Sequence, residues 1–381
     1  MTPLEITDEQ ARARVAQARR VVVKVGSSSL TNADGGHLDG ERVTAIVDAI
    51  AGRVAEGVQV VLVSSGAIAA GIGPLGLARR PRDLATQQAA ASVGQGVLVA
   101  AYDAAFRRHG LHVGQVLLTA DDTTRRGHYT NARRTLDRLL TLGIVPIINE
   151  NDTVATSEIK FGDNDRLAAL VAHLIGADTL VLLTDVDALY TDKPDRPGAR
   201  RIAVVRGRDQ LKDIDVSARG SRVGTGGMQT KVEAASIANA AGISAVLAAT
   251  PDIGRALAGE DVGTVFVPAR RRRPNRTWWL QHATTSRGAL VVDAGAVTAL
   301  TERGKSLLPA GIVEIRGSFA EGDVVDVVGP DGAVVARGLS SYSSTDLPQM
   351  LGRSTKEIAA ELGAQYEREA IHRDHLALTS R

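Results

Sequence analysis

From Arg20 to about Ala269, short β-branched runs alternate with long Ala-rich stretches, and this rhythm limits the fold more than any other feature. The runs predict strands at Val21–Val25, Val58–Val63, His112–Leu118, Ile144–Ile148, Thr179–Leu183 and Ser244–Leu247. The stretches between them predict helices at Gly40–Ala55, Asp83–Arg108, Tyr129–Thr141, Asp165–Ile175 and Met228–Ala241. Apolar strands that lack polar alternation are covered on both faces. Strand–helix repetition then gives a mostly parallel sheet between layers of helices. In such sheets ligands bind beyond the carboxyl ends of the strands, and the polar motifs of this chain follow strand ends.

The rhythm stops at Arg270–Arg276, where four consecutive Arg precede Pro274. A short charge run of this kind reads as a linker. Residues 277–360 then carry short Val-rich runs broken by Gly turns such as Pro330-Asp331-Gly332, the texture of a small β-rich domain. The tail, 361–381, reads as a mixed-charge helix with a loose end. The organisation expected is a catalytic domain over 1–269, a linker over 270–276, a β-rich domain over 277–360 and a tail.

Composition excludes several classes. There is no Cys, which rules out disulfides, thiolate nucleophiles and zinc sites built on thiolates. Lys plus Arg number 45 against 43 Asp plus Glu, too even a balance for a general nucleic-acid binder. Between Thr277 and Ala360 seven Lys and Arg stand against nine Asp and Glu, so no nucleic acid is expected there either. The charged N-terminus is no signal peptide, and apolar runs such as Val60–Val63 and Leu180–Leu183 are too short to cross a bilayer. A cytoplasmic enzyme with no membrane partner is expected. Gly71-Ile-Gly73-Pro-Leu-Gly76 matches G-x-G-x-x-G, but it does not follow a strand directly and Pro74 opposes a helix start, so it reads as a loop.

Four stretches carry chemistry. Lys24 lies in an apolar strand before Gly26-Ser-Ser-Ser29. A buried Lys is costly without an anionic partner, and a Gly turn offers N–H groups to an anion. Ser64-Ser65-Gly66 ends the next strand, where either hydroxyl also reads as a helix N-cap. Residues 149–165 hold three Asn, three Asp, two Glu and one Lys, too dense for solvated surface. Such a set suits a cationic group, an order of basic side chains, or a metal. Gly224-Thr-Gly-Gly227 opens an Ala-rich helix with Lys231 one turn in, an arrangement for phosphate.

Taken in order, VVKVGSSSLT, VSSGAIAAG, INENDTVATSEIKFGDND, LLTDVDALYT and GTGGMQTK resemble the glutamate 5-kinase branch of the amino-acid kinase family, and the region after the linker resembles a PUA domain. The resemblance implies a three-layer αβα sandwich with a mostly parallel sheet, and phosphorylation of the side-chain carboxylate of L-glutamate by ATP with Mg²⁺, carried mainly by the nucleotide phosphates. It implies the first step of proline biosynthesis, inhibition by proline, a homo-oligomer, and a functional link to the glutamate-5-semialdehyde dehydrogenase that consumes the acyl phosphate. Carried onto this chain, Lys24 and Lys231 contact the phosphoryl group in flight and Asp165 orients them. Ser65, Asp152 and Asn164 bind glutamate, supported by Asn149 and Asp163. Thr184 and Asp185 line the nucleotide site, together with Thr225, Gly226, Gly227, Met228, Gln229, Thr230 and Lys231. Ala188 stands where the family often has Gly.

Overall fold

The structure is a computed structural model that describes residues 6–32, 37–119, 122, 126–154, 164–192, 196–211, 227–268, 286–363 and 366–379. The chain divides into two compact units, residues 1–120 with 130–273, and 121–129 with 274–381. The predicted linker, Arg270–Arg276, lies outside the described residues.

In the first unit, in chain order, the helices are α1 (Asp8–Ala16), α2 (Ser27–Leu30), α3 (Gly40–Ala55), α4 (Ala67–Ile72), α5 (Leu84–Arg107), α6 (Arg126–Thr141, in this unit from Thr130 onward), α7 (Asn164–Ile175), α8 (Met228–Ala240) and α9 (Ile253–Leu257). The strands are β1 (Arg20–Val25), β2 (Gln59–Ser64), β3 (His112–Leu118), β4 (Ile144–Glu150), β5 (Thr179–Thr184), β6 (Val204–Val205), β7 (Ser244–Ala249) and β8 (Thr264–Phe266). They form one sheet in the order β3-β4-β2-β1-β5-β7-β8-β6, parallel except where β7 meets β8. The order turns back at β1, which has β2 on one side and β5 on the other. That reversal opens a crevice at the carboxyl ends of β1, β2 and β5.

The pleat of β1 sorts its side chains. Val21, Val23 and Val25 enter a core shared with residues of α1, α3, α5 and α9. Successive strand residues point to opposite faces, so Val22 and Lys24 face the other layer, where α7 packs on β1 and α8 packs on β5 and β7. This parity aims Lys24 at α7 and α8.

Two glycines set the position of α4. A Cβ on Gly94 would lie 1.7 Å from the carbonyl oxygen of Ala67, and one on Gly71 would lie 2.0 Å from that of Ala90. The backbones of α4 and α5 therefore touch, and Gly is required at both places. The sequence reading of Gly71 as a loop residue is corrected: it lies inside α4. Among the described residues, α5 alone is long and apolar enough to cross a bilayer by length and composition. Its Leu98, Tyr102 and Phe106 are wholly buried in the core, while Leu84, Val93 and Val97 on it are exposed.

Two sequence expectations need correction. Not every strand is covered on both faces: β3 is an edge strand and only Leu118 on it is buried. The tail is not a helix throughout. In the second unit, β9 (Gly288–Val292), α10 (Ala294–Thr301), β10 (Ile312–Gly317), β11 (Val324–Val328), β12 (Val334–Leu339) and α11 (Thr355–Leu362) are followed by β13 (Leu376–Leu378). The sheet order is β10-β9-β11-β12-β13, with β9 and β11 parallel. Ile371, Leu376 and Ala377 are buried, and β13 pairs with β12. Burying these side chains and pairing the edge of β12 outweighs the mixed-charge helical pattern.

Candidate active site

Asp165 lies in the first turn of α7 and is fully buried. Its Oδ1 lies 2.6 Å from Lys24 Nζ and its Oδ2 lies 3.1 Å from Lys231 Nζ. Thr230 donates from Oγ1 to the same Oδ2 at 3.0 Å. Lys24 and Lys231 are themselves only 3% and 7% exposed. Two ammonium ions share one carboxylate, so the cluster carries a net positive charge next to the crevice. Charges this deep in the protein are tolerable because they are paired. Three distant segments build the cluster: β1, the start of α7, and the first turn of α8. A Cβ on Gly26 would lie 3.6 Å from Lys24 Nζ, so the glycine leaves one approach to that ammonium open.

Beside this cluster lies an open cleft of about 500 Å³, solvent-filled mouth included, whose lining holds Ser27, Ser65, Gly66, Arg80, Asn149, Glu150, Asp152 and Asn164. Asn164 precedes Asp165 on α7, and one helical step sends its amide to the cleft rather than to the lysines. Its Nδ2 reaches the carbonyl of Ser64 at 3.1 Å, Ser65 Oγ at 3.0 Å and Asn149 Oδ1 at 2.8 Å. Asn149 Oδ1 also accepts from the Glu150 N–H at 2.9 Å. These bonds tie the ends of β2 and β4 to the start of α7. Neither Ser64 nor Ser65 caps α4: its N-cap is Gly66, at φ 100°, with no side-chain cap bond. Ser64 instead meets Tyr102 at 3.0 Å, behind the cleft, where burial pushes the Tyr102 phenol above its ordinary pKa and keeps it protonated.

On the other side of β1, Thr184 ends β5 and donates from Oγ1 to the exposed Asp185 at 3.0 Å. Thr250 Oγ1 lies 2.7 Å from Ser29 Oγ and 3.3 Å from the Thr184 carbonyl. Gly227 is the N-cap of α8, with no side-chain cap bond among the described residues, and the first turn of a helix presents N–H groups that favour an anion. Ala188 is buried, and no non-glycine residue among those described has positive φ, so Ala is accommodated there without strain.

Of the residues singled out from sequence, Lys24, Lys231, Asp165 and Thr230 meet in the cluster. Ser65, Asn149, Asp152 and Asn164 meet in the cleft. Thr184 and Asp185 lie at the end of β5 with the start of α8 beyond. Asp163, Thr225 and Gly226 lie outside the described residues. Sequence reasoning passed over Arg80, Glu150, Ser27 and Thr250. The signal for Glu150 was its place inside the Asn149–Asp152 run, and Arg80 was hidden in a charged loop, Arg79-Arg80-Pro81-Arg82.

Residues 19–249 match the model of the amino acid kinase family, and residues 288–362 match that of the PUA domain. The chain is 60% identical over 370 residues to the glutamate 5-kinase of Streptomyces avermitilis, spanning 97% of this chain and 98% of that protein. It is 61% identical over 368 residues to the glutamate 5-kinase of Salinispora arenicola, spanning 96% and 100%. It is 54% identical over 375 residues to that of Bifidobacterium longum subsp. infantis, spanning 98% and 99%.

Proposed function

The chain belongs to the amino acid kinase family, and on that premise we propose that it transfers the γ-phosphoryl group of ATP to the side-chain carboxylate of L-glutamate, giving L-glutamyl 5-phosphate. The observation that carries this reading is the pairing of Lys24 and Lys231 on Asp165, next to a cleft with two acids, two amides and two hydroxyls.

The acceptor carboxylate, with a pKa of about 4.3, is already ionised at neutral pH, so the reaction needs no general base. The difficulty is electrostatic. At about 4 Å and an effective dielectric near 20, each pair of unit charges repels by about 4 kcal/mol. Lys24 and Lys231 oppose that repulsion and stabilise charge spread over the phosphoryl oxygens in the transition state. Asp165 fixes both ammonium groups before substrate arrives, so they need little reorganisation during transfer. N–H groups at the start of α8, from Gly227 onward, serve the nucleotide phosphates, and Thr184 and Asp185 serve the rest of the nucleotide. Mg²⁺ carried by ATP would supply further counter-charge to the phosphates. Among the described residues no three His, Cys, Asp or Glu side chains gather into a metal site.

In the cleft, Asp152 suits the ammonium of the acceptor, while Ser65 and the Asn164 amide suit its oxygens. Asp152→Ala is expected to raise the KM for L-glutamate about tenfold or more, with kcat within about threefold of wild type. Steady-state kinetics at saturating ATP checks this, and an equal loss in kcat would contradict the assignment.

The wider reading is a cytoplasmic homo-oligomer that opens proline biosynthesis, is inhibited by proline, and hands its labile product to a reductase that acts on the acyl phosphate. The direct test is ATP-dependent hydroxamate formation from L-glutamate and hydroxylamine, with and without proline. Turnover that proline suppresses supports the whole reading. No hydroxamate from L-glutamate would overturn the reaction, and turnover indifferent to proline would remove the inhibition alone.

A further inference from the structure

The cleft presents an imbalance of charge. Two carboxylates, Glu150 and Asp152, line it, and Arg80 is the one cation among the described residues that do so. An α-amino acid with a side-chain carboxylate brings two negative groups and one positive group to this space. The reacting carboxylate has its counter-charge in Lys24 and Lys231, which lie beyond Asn164. The ammonium has acids to meet. The α-carboxylate has only one cationic side chain within the described lining, and it would otherwise face Glu150 and Asp152 as like charges. Glu150 is almost fully buried, at 8% exposure, and Asp152 is half-buried, whereas Arg80 is exposed, in the loop between α4 and α5. The cleft is therefore lined by a buried carboxylate at Glu150 and, toward solvent, by the exposed guanidinium of Arg80.

We propose that Arg80 binds the α-carboxylate of the acceptor at the mouth of the cleft and so selects substrates with a free α-carboxyl group. This inference rests on the reading of the cleft as a glutamate site. A guanidinium suits the task because its planar fork donates two parallel bonds to a carboxylate. The close contact of α4 and α5 through Gly71 and Gly94 fixes the two helices that the loop joins.

The test uses the full chain, with L-glutamate and its α-amide as alternative acceptors; both keep the reacting side-chain carboxylate. Hydroxamate formation is followed for wild type, Arg80→Ala and Arg80→Lys. The expected result is that wild type prefers L-glutamate to the α-amide by about tenfold or more in kcat/KM. Arg80→Ala should raise the KM for L-glutamate about tenfold, leave kcat and the KM for ATP within about twofold, and bring the preference close to unity. Arg80→Lys should recover part of the preference. Because the side chain is exposed, the melting temperature should stay that of wild type. Wild-type turnover with an unchanged KM in Arg80→Ala, or an equal loss with both acceptors, overturns this inference and leaves the reaction standing. No wild-type turnover of L-glutamate overturns the reading of the cleft, and this inference with it.

Discussion

Asp165→Ala is expected to lower kcat by about 10²–10³-fold and to destabilise the first unit by about 3–5 kcal/mol. Both effects come from one geometry. The carboxylate is fully buried, and each of its oxygens serves a different ammonium, at 2.6 Å and 3.1 Å. Removing it leaves two buried cations facing one another without their shared counter-ion. The cluster can respond by losing a proton from one lysine, which limits the stability cost but deprives the phosphoryl group of a charge. Asp165→Asn separates the two roles. It keeps the side-chain volume and can still hydrogen bond, so more of the stability should return while kcat stays low. Thermal melts and single-turnover rates on both variants decide it. An Asp165→Asn enzyme with wild-type kcat would show that the charge of Asp165 has no part in transfer.

Lys231→Ala is the second large effect, an expected fall in kcat of about 10²–10³-fold with the KM for L-glutamate changed by less than about threefold. The residue lies in the first turn of α8, bound to Asp165, and is not among the residues that line the cleft. Its charge therefore acts on the group in transit rather than on the bound acceptor. Lys231→Arg should fail to rescue the rate, because the site is only 7% exposed and the larger planar fork cannot reproduce a compact ammonium there. A Lys231→Ala variant that loses KM and keeps kcat would assign the residue to acceptor binding instead. With the Asp152 substitution, the pair of results divides the site into a binding half and a transfer half.

Much of the fold is legible in the sequence because its central strands are apolar on both faces. β1, β2, β4, β5 and β7 have one reading each, since few other structures bury four or more consecutive β-branched or aliphatic residues. The elements that were missed are short or small. β6 and β8 span only two and three residues, too little for a period to appear. α1 has a readable start, the Thr7–Gln10 capping box, but no apolar stripe to support it. α4 is built from Ala and Gly so that its backbone can touch α5, and Gly in such a run resembles a turn. β13 is three residues of apolar side chain within a charged tail.

The candidate site divides in the same way. Lys24 in its apolar strand and Lys231 one turn into a Gly-opened helix each pointed to an anion, and Asp165 stood out only within the dense 149–165 run and through the family resemblance. Their meeting depends on facts that no single segment carries: the parity of β1, which turns Lys24 away from the Val21 face, and the packing of α7 and α8 over that face. Asn164 and Asp165 are neighbours in the chain with different targets, which the helical step explains only once the position of α7 is known. Arg80 lay beyond sequence reasoning because an Arg-rich loop reads as solvated surface until a cleft is seen beside it.

The central claim is that Lys24 and Lys231 grip the same phosphoryl group. A crystal structure of the full chain with L-glutamate, Mg²⁺, ADP and aluminium fluoride, a planar mimic of the group in flight, tests it most directly. The account predicts the fluoride within about 3 Å of both ammonium nitrogens, in line between the side-chain carboxylate of glutamate and the β-phosphate. A fluoride bound in line but touching neither lysine, or only one of them, would contradict it.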